Sequence, residues 1–149
     1  MKELTDVTPQ FEQRLPELDY VKQDGSVKRA IMDVVHGHPQ MGRLWIDVAV
    51  VSPQAGDAAH QLRATRVDGA AAKEACKYKR RRYGDQVIPF VLEVGGRPSD
   101  EARAFVHRVL HADPLMEGSA AERGAHFWRV LSCTLQRYVA LQLRHSAGL

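Results

Sequence analysis

Apolar positions follow two periods along this chain, and their alternation sketches the architecture. Residues 30–36 (AIMDVVH) and 44–51 (LWIDVAVV) are short, rich in Val and Ile, and predict two strands. GHPQMG between them (37–42) predicts a hairpin loop. Residues 87–94 (VIPFVLEV) form a nearly unbroken apolar run, as expected of a strand covered on both faces. Helical spacing governs the rest. In residues 69–83 the series Gly69, Ala72, Cys76, Lys79 and Tyr83 recurs at steps of three and four, which puts all five on one stripe. Ser99 predicts the cap of a further helix, with Ala102, Phe105, Val106, Val109 and Leu110 as its apolar stripe. Ser119 and Glu122 have the spacing of a capping box that opens a last helix running to about Arg144. On that helix Trp128, Leu131, Leu135, Tyr138 and Val139 share a face and are expected in the core.

The remaining segments carry weaker signals. Thr8 and Pro9 suggest the start of a short helix over 8–20, with Phe11, Leu15 and Leu18 inward, although Pro16 interrupts it. Gln23-Asp24-Gly25-Ser26 and residues 113–118 read as turns, and 52–68 as a long loop with one helical turn. The order is then helix, two strands, helix, strand, helix, helix. A helix linking two strands implies a crossover and so a small mixed sheet in an α/β layer structure. With 149 residues, a single domain is expected, its core at about 28–112 and a helical part at 113–149.

Composition excludes several function classes. Two cysteines, Cys76 and Cys133, without a C-x-x-C pair leave no cysteine zinc site and no disulfide framework. Cys76 lies on the packing stripe and reads as a small core residue. The N-terminus lacks the apolar core of a secretory signal and no run reaches membrane-spanning length, so an intracellular protein without a membrane partner is expected. There is no P-loop, dinucleotide glycine fingerprint, G-x-S-x-G or H-E-x-x-H. The net charge of +3 and a pI near 9.0 permit polyanion binding.

The chemistry-bearing residues are acids where acids are unusual. Asp33 and Asp47 each interrupt an aliphatic strand, a setting in which Asp is disfavoured and rarely buried alone. Two such acids on neighbouring strands repel, and a hard cation, Mg²⁺ or Mn²⁺, would relieve the repulsion. The bland alternative is that each acid is solvated or salt-bridged at a strand end. Lys79 is the one cation on the inward stripe of its helix, so its ammonium needs an anionic partner or must snorkel to water. Glu93 is a candidate further ligand or a structural ion-pair partner. Six cations crowd residues 73–82. Lys73, Lys77, Arg80, Arg81, Arg82 and Tyr83, with Arg63 and Arg66 upstream, are candidates for a nucleic-acid-binding surface, or else a solvated helix face or a nuclear import signal.

The run MDVV, then WIDVAVV, then an Ala-rich helix ending in KRRRYG, then PFVLEVGGRPSDEA, resembles the endonuclease domain of site-specific non-LTR retrotransposon reverse transcriptases. More broadly it is similar to the PD-(D/E)XK, restriction-endonuclease-like superfamily. The resemblance spans about residues 28–112. It implies a restriction-endonuclease-like core and a Mg²⁺-dependent endodeoxyribonuclease. Asp33 and Asp47, thirteen residues apart in the intervening count, match the two acids. The position two after the second acid holds Ala49, so Lys79 on the following helix matches the catalytic lysine, with Arg82 and Tyr83 at the last two places of its motif. Met32 stands where the family has proline. The resemblance also implies DNA as partner, a nuclear location and a parent protein carrying a reverse transcriptase. From the residues, three functions stay open: a metal-dependent nuclease, an inactive nucleic-acid-binding module, and an α/β protein-interaction domain using Trp128 and Tyr138.

Overall fold

The computed structural model describes residues 9–112 and 118–146. It is an α/β structure with a mixed four-stranded sheet, a small two-stranded sheet and four α-helices. The main sheet runs in the order β1 (Gln10–Arg14), β4 (Ile31–His38), β5 (Gly42–Val51), β6 (Val87–Glu93). β1, β4 and β5 are antiparallel, and β5 and β6 are parallel. The crossover between the parallel pair holds α1 (Ala58–Arg66) and α2 (Ala70–Tyr83). α3 (Asp100–Ala112) and α4 (Ala120–Ser146) follow. β2 (Tyr20–Val21) and β3 (Val27–Lys28) form a separate hairpin around the expected Asp24-Gly25 turn.

Helices cover both sides of the sheet. Ala72 and Cys76 of α2 pack on Val91, Ala49 and Val51. On the other side Phe105, Val106 and Leu135 close over Leu44, Phe90 and Leu92. Trp128 of α4 stacks on Phe90 at 6.3 Å and 16°, while Phe105 meets Phe90 edge-on. β6 is thus an edge strand buried on both faces, which explains its continuous apolar run. Its Pro89 lacks an N–H and is tolerated because β6 is an edge strand whose outer-side bridge, Leu92 to Pro98, lies beyond Pro89. The capping box forms: Ser119 Oγ accepts from the Glu122 amide, and Glu122 Oε2 accepts from the Ser119 amide.

Several expectations change. Residues 10–14 form strand β1 instead of a helix, because the open edge of β4 offers ladder bonds and Pro16 blocks a helix running through. Leu15 still turns inward, buried at 5%, and Leu18 packs beside it from a 3₁₀ turn at Pro16–Leu18. Phe11 is 66% exposed, not inward. The Thr8 cap lies outside the described residues, as does most of the turn at 113–118. Segment 52–68 contains a nine-residue helix, α1, capped by Asp57, whose Oδ1 accepts from the His60 amide at 2.8 Å. β4 extends through His38, leaving a shorter hairpin turn than 37–42. On α4, Trp128 joins the core but Tyr138 does not: it is 58% exposed. That helix runs past the structure it packs on, so its C-terminal turns meet solvent.

Candidate active site

Asp33 and Asp47 are brought together by the hairpin register. Val34 pairs with Ile46, so the next opposed residues are Asp33 and Asp47. Regular pairing stops there. The Val48 amide donates instead to Asp33 Oδ2 at 2.6 Å, so the carboxylate takes the place of a ladder carbonyl. This accounts for an Asp inside a strand without strain: it fulfils a backbone donor that the diverging chains would leave unmet.

Directly paired residues on adjacent strands point to the same face. Asp47 pairs with Pro89, Ala49 with Val91 and Val51 with Glu93, and this is the face that α2 covers. Helical spacing then lowers Lys79 onto Asp47. Ala72, Cys76 and Tyr83, at 0%, 3% and 6% exposure, hold the stripe against the sheet, and Lys79 sits between them. Its Nζ lies 2.6 Å from Asp47 Oδ2 and 3.4 Å from the Val48 carbonyl oxygen, to which it donates. The two charged side chains are only 14% and 11% exposed. Gly84, at φ 73°, ends the helix one residue after Tyr83, and its amide returns to the Arg80 carbonyl.

The electrostatics show competing influences on one carboxyl. Burial pushes the Asp47 pKa above its ordinary value; the Lys79 ammonium pulls it down; Asp33, as hydrogen-bond partner and like charge, pushes it up again. The net direction is upward. Burial and Asp33 together therefore outweigh the salt bridge. The residues fit a hard divalent cation: two carboxylates suffice for Mg²⁺, which keeps several of its waters. Among the described residues no cluster of three or more His, Cys, Asp or Glu side chains is suited to hold a metal.

Other candidates lie apart. Glu93 is four strand positions beyond the level of Asp47, or roughly 13 Å. It is 7% exposed and accepts from the Ala72 amide, a structural role at the start of α2. Tyr83 is in the core with Leu15, Met32, Val35 and Val87, and burial raises its pKa. Arg80 is tied to Glu101 on α3 and to the carbonyls of Asp85 and Val87. Arg82 lies over the rings of Tyr83 and Tyr20, at 4.4 and 4.9 Å, and donates to the Arg29 carbonyl. Lys73, Lys77 and Arg81 are exposed, but on the side of α2 turned about 120–200° from Lys79. Lys77 and Arg81 share Glu74. Arg63 and Arg66 are exposed in the last turn of α1. Burial raises the pKa of the Cys76 thiol, consistent with a core residue.

Sequence patterning missed Tyr78. It precedes Lys79, is 51% exposed, and lines a cleft of about 620 Å³ that Lys79 also lines. Its signal was present: an aromatic one residue off the packing stripe of a basic helix, facing outward. No family model, curated protein or solved structure matches this chain. No helix among the described residues is long and apolar enough to cross a membrane.

Proposed function

We propose that this chain is a metal-dependent endonuclease domain that hydrolyses phosphodiester bonds in DNA, with a restriction-endonuclease-like core related to the domains of non-LTR retrotransposon reverse transcriptases. The observation that carries this reading is the meeting of Asp33, Asp47 and Lys79 from two strands and a helix. The antiparallel hairpin, crossover helix and parallel third strand support the same fold reading. A nuclear location and a parent protein with a reverse transcriptase belong to the same proposal.

Asp33 and Asp47 would hold Mg²⁺ or Mn²⁺, which when bound supplies Lewis acidity toward the scissile phosphate and acidifies water. Asp33 stays oriented through the Val48 amide. Lys79 is placed to pass from Asp47 to a phosphate oxygen, offsetting charge that builds in the transition state. Its stem is held by the packing of α2, so the ammonium alone would have to move. The test is nicking of supercoiled plasmid with Mg²⁺ or Mn²⁺. Wild type nicks; Asp33→Ala and Asp47→Ala do not. Nicking that persists in Asp47→Ala removes this mechanism.

A second reading has one observation in its favour. The Lys79–Asp47 pair is short and mostly buried, as a structural ion pair would be. In a catalytically inactive nucleic-acid-binding module that pair would serve the fold alone. Salt-sensitive binding without cleavage under any divalent metal selects this reading.

A further inference from the structure

The cleft beside Lys79 differs from what a duplex backbone would need. Ala49 and Val51 of β5 and Ala71 and Ala75 of α2 line it, together with His60 of α1 and Glu74 of α2. The lining is mostly apolar apart from His60 and Glu74, and the volume of about 620 Å³ falls in the range of small-ligand sites. Lys79 and Tyr78 line the same cleft. On the far side of Tyr78 is a second, smaller hollow formed with Tyr20, Arg81 and Arg82. The Arg82 guanidinium covers the Tyr20 ring in that second hollow.

A half-exposed ring thus lines two hollows, one shared with Arg81 and Arg82 and the other with Lys79. Lys73, Lys77 and Arg81 of α2 face away from Lys79, and the cleft beside it is lined mainly by Tyr78 and small apolar residues, its Glu74 carboxylate paired with Lys77 and Arg81. Such a surface suits the π-face of an unstacked base and offers little to a closed double helix, whose bases are hidden. We propose that this cleft receives an unpaired nucleotide of a DNA strand, its base stacked on Tyr78 and its phosphate directed at Lys79, so that the substrate is single-stranded or locally opened DNA. This rests on the nuclease reading for the role of Lys79, while the stacking claim stands on Tyr78 and the cleft.

The experiment is fluorescence anisotropy in EDTA, where cleavage cannot occur, with labelled oligothymidylate and a blunt mixed-sequence duplex of equal length. The single strand is expected to bind about tenfold or more tightly than the duplex, in line with stacking of one or more bases at about 1–3 kcal/mol each. Tyr78→Ala should weaken single-strand binding by about 5- to 100-fold, while duplex binding changes less than about twofold. Tyr78→Phe should keep wild-type affinity, because the ring and not the hydroxyl stacks. The ring is half exposed, so the alanine variant should fold, and its melting curve checks this. Equal or tighter duplex binding overturns the proposal, as does a Tyr78→Ala effect that is absent or the same on both probes. Failure here leaves plasmid nicking unaffected. Failure of nicking leaves the single-strand preference measurable.

Discussion

Replacing Lys79 by Met tests the geometry of the site without requiring activity. Methionine keeps the apolar stem that packs against the sheet and removes only the ammonium. In the wild type that ammonium lies 2.6 Å from Asp47 Oδ2, with both side chains less than one-sixth exposed. Breaking a buried pair leaves an uncompensated charge and costs about 3–5 kcal/mol. The residual exposure of both groups places this pair at the lower end, about 3 kcal/mol near pH 8. The sign of the pH dependence follows from Asp47. Its folded pKa already lies above the ordinary carboxylate value because burial and Asp33 outweigh Lys79. Removing Lys79 moves it further up. A group with a raised folded pKa favours folding below its unfolded pKa, and that advantage is lost as pH climbs through the folded pKa. The deficit of Lys79→Met relative to wild type is therefore widest at alkaline pH and narrows on acidification, as Asp47 takes up a proton. Urea unfolding of both proteins at mildly acid and mildly alkaline pH measures this directly. The double variant Lys79→Met/Asp47→Asn, which removes both charges, should recover most of the loss. A deficit of the same size at both pH values, or a double variant no more stable than the sum of its singles, refutes the reasoning.

Two further outcomes follow from the same structure. Mn²⁺ at about ten times its dissociation constant should stabilise the protein by about 1.4 kcal/mol, raising the melting temperature by about 3–5 °C. Asp33→Asn should abolish that rise, and an unchanged rise in the variant would move the metal elsewhere. Ser119→Ala removes the reciprocal cap of α4 and should cost about 1 kcal/mol, read as a melting point lower by about 2–4 °C. A neutral result would mean that α4 is anchored by Trp128 and Leu135 alone.

What the chain determined by itself were features whose cause is local. The aliphatic runs with one acid each placed Asp33 and Asp47 in strands, and the three-four spacing from Gly69 to Tyr83 singled out Lys79 as the inward cation. Both depend on the side-chain period of one element, which a linear sequence carries. Tertiary structure decided the rest. Residues 10–14 became a strand because β4 had a free edge, a fact found some twenty residues away. Glu93 was separated from the acidic pair by the register of β5 with β6, and Arg80 and Tyr83 were drawn into structural contacts by α3 and the core. Tyr78 gained its place at a cleft only when the end of β5, the loop before α1 and the hairpin bearing Tyr20 closed around α2. Periodicity says which way a side chain points on its own element. What it points at is set by long-range pairing and packing, and these are energies of the folded chain as a whole.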